Sequence, residues 1–185
     1  MKILLASKSP RRKELLQSLG YDFEVVSVEC DEVYPPNLKA EDIAGYLSAL
    51  KVNACINISD EDILITADTV VAVDGEVLGK PQNKTEAKEM LRKLSGKTHQ
   101  VYTGITVKKG NRIVTQTDVA SVKIMDLTEE EIEFYIENFQ PFDKAGSYGI
   151  QEWLGMAKIS EIHGSFYNIM GLPTHLLYHI LKDFE

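Results

Sequence analysis

The chain has 185 residues, 44% of them hydrophobic, and a formal net charge of -8. That is enough for one compact domain with a sizeable core, and too acidic overall to wrap nucleic acid or dock on anionic membrane. No apolar run reaches the length of a membrane span, Met1-Lys2 leads into an apolar segment rather than a secretory leader, and Cys30 and Cys55 lack metal or redox spacing, so a reduced cytoplasmic protein is expected.

Residues 3 to 6 read as a strand, and Ser9-Pro10 reads as the N-cap and first position of a helix running to about Leu19, with Gly20 closing it. Arg11, Arg12 and Lys13 place cations in its first turn. There the helix dipole disfavours positive charge by roughly 0.3–1 kcal/mol each. An anion bound at that turn would account for them; solvated surface cations are the plainer alternative. The serine-bearing turn with Ser7 and Ser9, the N–H donors and the two guanidinium forks outline a phosphate-binding site.

Phe23 to Val28 reads as a second strand, ending in a loop with Asp31-Glu32 and Pro35-Pro36. Asn37 can cap a helix whose apolar positions are Ile43, Tyr46, Leu47, Leu50 and Ala54, with Lys51 interrupting its second half. Ile63 to Val73 is a long strand carrying Asp68, and Asp74-Gly75 is a hairpin turn with Glu76 to Lys80 returning. Thr85 to Leu94 reads as a helix stopped by Ser95-Gly96. His99 to Val107 and Arg112 to Ile124 form a second hairpin. Thr128 with Glu131 makes a capping box for a helix ending near Asn138. A glycine-rich loop, Gly164 to Pro173, precedes an amphipathic C-terminal helix. With no repeat, low-complexity stretch or linker, residues 1–185 read as a single α/β domain.

Asp68 is flanked by apolar residues and is expensive to bury unpaired. Counting back from the Asp74-Gly75 turn puts Lys80 opposite Thr69 and close to Asp68, as a structural pair or as a catalytic carboxylate with a phosphate-holding lysine. Oxygen ligands from Glu32 and Asp68, completed by substrate phosphates, would suit Mg²⁺ or Mn²⁺ rather than zinc. Lys51 either snorkels from a helix face or joins Arg11, Arg12 and Lys80 in neutralising phosphate. Gln151 follows a segment rich in glycine and offers a donor and an acceptor to a base edge. Ser95-Gly96-Lys97-Thr98 is not a P-loop, since it ends a helix and opens a strand. His175 and His179 stand four apart on the last helix, facing solvent or its edge.

In order along the chain, Ala-Ser7-Lys-Ser9-Pro-Arg11-Arg12, Ala-Asp68-Thr69-Val-Val, Leu-Gly-Lys80-Pro, Leu-Ser-Gly-Lys-Thr-His, Asp143-Lys144-Ala-Gly-Ser-Tyr-Gly-Ile-Gln151 and Gly-Ser165-Phe-Tyr-Asn168-Ile-Met-Gly-Leu-Pro resemble the Maf family of nucleoside triphosphate pyrophosphatases. The resemblance implies an α/β fold of two lobes around an elongated, bent mixed sheet with flanking helices, similar to inosine triphosphate pyrophosphatases, with the active cleft between the lobes. It implies hydrolysis between the α and β phosphates with a divalent metal cofactor, Asp68 as proton acceptor, and Arg11, Thr69 and Gln151 at positions that separate substrate subgroups. The Asp-Thr and Ile-Gln pairings resemble the subgroup acting on dTTP and UTP. The partner implied is thus a small-molecule nucleotide, with homodimerisation also implied. A non-catalytic nucleotide-binding regulator of cell division, or a pyrophosphatase for a purine or modified nucleotide, are the alternatives.

Overall fold

The N-terminal apolar run forms β1 (Ile3–Leu5), and the chain turns at once into α1 (Pro10–Ser18). In the computed structural model, which describes residues 1–184, β2 (Glu24–Val25) and α2 (Ala40–Ala54) follow, then β3 (Ile63–Val73), β4 (Glu76–Leu78), α3 (Lys84–Leu94), β5 (Thr98–Lys109), β6 (Arg112–Ile124) and α4 (Glu129–Phe139). The remainder is α5 (Trp153–Lys158), β7 (Ile159–His163), α6 (Phe166–Met170) and α7 (Thr174–Phe184). The seven strands form one mixed sheet in the order β2-β1-β3-β5-β6-β7, with β4 pairing β3 off that path. β1 runs parallel to β2 and β3, whereas β4 is antiparallel to β3 and β7 to β6.

Two compact units share these elements. The first comprises Met1–Thr69, Thr103–Asp118 and the stretch from Gly171; the second comprises Val70–Tyr102 and Val119–Met170. In the first, Leu4, Ala6, Val52 and Leu64 form an apolar cluster between strands and α2, flanked by Val26, Val28, Cys55 and Ile58. In the second, Leu91 and Leu94 of α3, Ile132, Tyr135 and Ile136 of α4, and Val122 and Ile124 of β6 belong to a larger core.

Most local signals act as the sequence suggests. Ser9 caps α1 with Pro10 behind it, Gly20 takes φ +84° after the helix, and Thr128 with Glu131 makes the capping box of α4. Three expectations change. α2 begins at Ala40, after Lys39 rather than Asn37, and its buried stripe is Ile43, Ala44, Leu47, Ser48, Lys51 and Val52, leaving Tyr46 exposed. The hairpin register is as counted, Val73 opposite Glu76, but β4 stops at Leu78, and the Gly79 carbonyl beyond it accepts the Gly146 N–H at 3.0 Å. The stretch from Gly164 to Pro173, expected as a loop, holds α6, and α5 and β7 precede it where the sequence reading names no element.

Candidate active site

The turn between β1 and α1 is fastened by its own hydroxyls. Buried Ser7 accepts the Ser9 N–H at 3.2 Å, and Ser9 accepts the Arg12 N–H at 3.5 Å. These bonds shape the first turn of the helix and bring Arg11 and Arg12 to successive positions of it. Both are partly exposed, and the Arg12 guanidinium turns inward to protein acceptors.

The Arg12 guanidinium is spread over protein oxygens. Nε donates to the Gly171 carbonyl at 2.7 Å, Nη1 to the Ala67 carbonyl at 2.9 Å, and Nη2 to the Thr69 hydroxyl at 3.1 Å. Thr69 Oγ1 lies 2.9 Å from Thr103 Oγ1, its neighbour on β5. Burial lowers the Arg12 pKa from its ordinary value, Asp68 works against that shift, and Arg11 adds to it. These bonds make Arg12 a tie between α1, β3 and the loop before α7.

Successive residues of a strand face opposite ways, so Asp68 and Thr69 serve different sides of β3. Thr66 and Asp68 face α2. The Asp68 side chain is 9% exposed, and its Oδ1 lies 2.5 Å from Lys51 Nζ. The same ammonium lies 2.9 Å from Glu32 Oε1 and 3.5 Å from the Ala67 carbonyl. Lys51 is therefore the partner of Asp68, in place of Lys80, which lies exposed beyond the end of β4. A buried carboxylate is costly without compensation, and the Lys51 ammonium supplies it.

The depth of α2 sets this pairing. A Cβ on Gly104 of β5 would lie 2.3 Å from the Ala44 carbonyl carbon, and one on Gly45 would lie 2.7 Å from Thr117 Oγ1. Between them runs a line of hydroxyls: Thr66 donates to the Ser48 carbonyl at 2.6 Å, Ser48 Oγ meets Thr106 Oγ1 at 2.8 Å, and Thr106 meets Thr115 at 2.9 Å. Small residues let the helix approach, and the hydroxyls satisfy the polar groups buried by that approach. None of these positions stands out in the sequence as functional. The signal for Lys51 is its spacing, four residues after Leu47 and eight after Ile43, on the apolar stripe.

Glu32 and Asp68 converge on one cation, and their donors are hard carboxylate oxygens. That pair fits Mg²⁺ or Mn²⁺, which take one or two carboxylates together with substrate phosphates. Among the described residues no group of three or more His, Cys, Asp or Glu could hold a metal alone, so phosphate oxygens would have to complete the shell. His175 and His179 are exposed, as their helical spacing suggests.

The second unit holds the other expected residues. Gln151 is exposed at the end of the buried segment Gly146–Ile150. Gly146 takes φ +67°, a left-handed conformation that side chains strain, and a Cβ there would press Val71 at 3.0 Å from Cγ1. In the Ser95-Gly96-Lys97-Thr98 segment, Gly96 takes φ +70° after α3 and Lys97 pairs with Asp74 at 2.5 Å, the geometry of a helix stop.

A family model described as Maf-like protein matches residues 2–184. A protein of Porphyromonas gingivalis named dTTP/UTP pyrophosphatase is 50% identical over 99% of this chain and 94% of its own length. Proteins of the same name from Phocaeicola vulgatus and Flavobacterium johnsoniae are 49% and 43% identical, over 98% and 97% of this chain and 95% and 93% of theirs.

Proposed function

The chain belongs to the Maf-like protein family, and from that membership we propose that it hydrolyses dTTP and UTP between the α and β phosphates, giving the nucleoside monophosphate and pyrophosphate. The observation that carries this reading to particular residues is the buried Asp68, held by Lys51 together with Glu32. A carboxylate so placed accepts a proton from the attacking water, whose oxygen forms the new bond to the α phosphorus as the bond to the pyrophosphate oxygen breaks. Lys51 holds the Asp68 carboxylate in place through the 2.5 Å ion pair.

Arg11, the Ser7–Ser9 turn, Lys51 and Lys80 take the charge of the triphosphate, and preorganised cations favour the charge that develops on the leaving pyrophosphate. Arg12 contributes chiefly by holding Thr69 and the Gly171 carbonyl in register with β3. Thr69 and Gln151 take the base-selecting roles. Glu32 and Asp68, with substrate phosphates, would hold Mg²⁺ or Mn²⁺, and the ion would supply Lewis-acid polarisation of the phosphoryl oxygen. The substrate under this reading is a free cytoplasmic nucleotide. Among the described residues no helix is long and apolar enough to cross a membrane.

The test is an incubation of the purified protein with Mg²⁺ or Mn²⁺ and a panel of nucleoside triphosphates, assaying monophosphate and pyrophosphate together. Equal amounts of the two products from dTTP and UTP, with little from purine nucleotides, are expected. Pyrophosphate from another base would keep the reaction and discard the base assignment. Nucleotide binding without turnover would discard the reaction.

A further inference from the structure

Gln151 is the exposed end of a buried segment, and the polar groups around its backbone form a closed circuit. Glu152 N–H donates to the Gly149 carbonyl at 3.1 Å. Gly149 N–H donates to the Tyr135 hydroxyl at 2.9 Å, and that hydroxyl donates to Glu152 Oε2. The other carboxylate oxygen, Oε1, lies 3.1 Å from Lys144 Nζ, which also pairs with Asp143 at 2.8 Å. Ile150 and Gln151 sit inside this circuit. Ile150 belongs to the core, so of the residues from Gly146 to Ile150 and on to Gln151, the glutamine alone emerges.

The network is buried beyond what a surface turn needs. Tyr135 is inaccessible and Lys144 is 8% exposed. Burial, and then the bond to Glu152, raise the Tyr135 hydroxyl well above its ordinary pKa, so it stays a donor throughout the neutral range. The Glu152 carboxyl lies against Gly149, where a Cβ would stand 2.8 Å from its carboxyl carbon, so the glutamate keeps this position beside a glycine. Buried ion pairs add little net stability, because desolvation offsets the attraction. Their more secure product is a fixed geometry.

We propose that Tyr135, Glu152 and Lys144 are positioning residues for Gln151, and that discrimination between uracil or thymine and cytosine depends on them although they touch no substrate. This rests on Gln151 reading the base, as proposed above. Uracil and thymine present a carbonyl acceptor beside an N–H donor, and cytosine presents an amino donor beside a ring-nitrogen acceptor. A carboxamide suits either edge after a half-turn. Selectivity therefore has to come from where the amide is anchored, and its anchor is the backbone from Gly149 to Glu152. A misplacement of about 1 Å at a reading group costs up to about a hundredfold.

The experiment measures kcat/KM for UTP and CTP, and for dTTP and dCTP, in the wild type, Tyr135→Phe, Glu152→Gln and Gln151→Ala, with thermal melting of each. Tyr135→Phe and Glu152→Gln should lower the uracil-to-cytosine ratio by about tenfold or more, through KM rather than kcat for UTP. In the Gln151→Ala background, Tyr135→Phe should change the ratio no further, because its effect passes through the glutamine. A wild-type ratio in both network variants, with the ratio lost in Gln151→Ala, overturns the proposal and leaves base reading by Gln151 intact. A wild-type ratio in Gln151→Ala overturns base reading itself, and the proposal with it. Should Tyr135→Phe fail to fold, Glu152→Gln gives the same decision.

Discussion

Arg12 donates through Nε to the carbonyl of Gly171 at 2.7 Å, joining the first turn of α1 to the loop before α7. Its other donors reach Ala67 and Thr69 on β3, so one planar group spans three segments. A lysine is a point charge on a flexible stem and cannot serve three divergent acceptors. Arg12→Lys should cost about 2–4 kcal/mol, seen as a fall in Tm of roughly 5–15 °C. Arg11→Lys should change stability by less than about 1 kcal/mol and raise KM for nucleotide. Equal stability loss in the two variants would refute the division of labour between these neighbours.

Asp68→Asn should lower turnover by at least about 10²–10⁴-fold. The fold should survive, because Lys51 retains Glu32 at 2.9 Å. Pyrophosphate release and near-ultraviolet circular dichroism check the two halves of this statement, and activity near wild type would remove Asp68 from its assigned role.

Gly104→Ala should push α2 off the sheet, because the new methyl meets backbone atoms of Ala44 and Gly45 that cannot rotate away. The expected cost is about 1–3 kcal/mol. Since α2 carries Lys51, kcat should fall further than in Leu181→Ala, a core truncation on α7 expected to cost about 2–5 kcal/mol. Matching kcat losses in the two variants would show that helix depth does not govern the Lys51–Asp68 pair.

His99 is fully buried, and burial lowers its imidazole pKa to about 4. In the unfolded chain the ring titrates near ~6.5. Between those values the unfolded state binds the extra proton, so stability falls as the pH drops from about 6.5 towards 4, by about 3 kcal/mol in full. Urea midpoints measured across that window should decline for the wild type and flatten in His99→Gln. An unaltered slope in the variant would assign the acid sensitivity to other groups.

The sequence carries the ends of the elements better than their faces. Ser9-Pro10, Asp74-Gly75 and the Thr128–Glu131 box act locally, and each forms as its residues dictate. The identity of Asp68's lysine depends on tertiary placement. Register counting favours Lys80, but α2 brings Lys51 to the carboxylate from another layer, through contacts at Gly104 and Thr106 that no local pattern announces. Arg12 is similarly legible as important and illegible in its partners, since Gly171 lies far along the chain. The short elements α5, β7 and α6 span six, five and five residues, too few for periodicity to declare them. The Tyr135–Glu152 bond escapes for the same reason as the Lys51 pair, since its two residues meet only after α4 has folded against the segment that follows.

The discontinuity of the first unit has a consequence for synthesis. Arg12 leaves the ribosome before the second unit is made, whereas Gly171 leaves it after every segment of that unit, which ends at Met170. While the chain is being made, the Arg12 guanidinium lacks one of its three acceptors, and α7 is not there to cover the first unit's core at Leu177 and Leu181. Products of premature termination before Gly171 therefore carry Asp68 and Lys51 in their sequence without the latch that finishes their surroundings. A nascent chain of this design completes the Arg12 tie only after its second unit has been made.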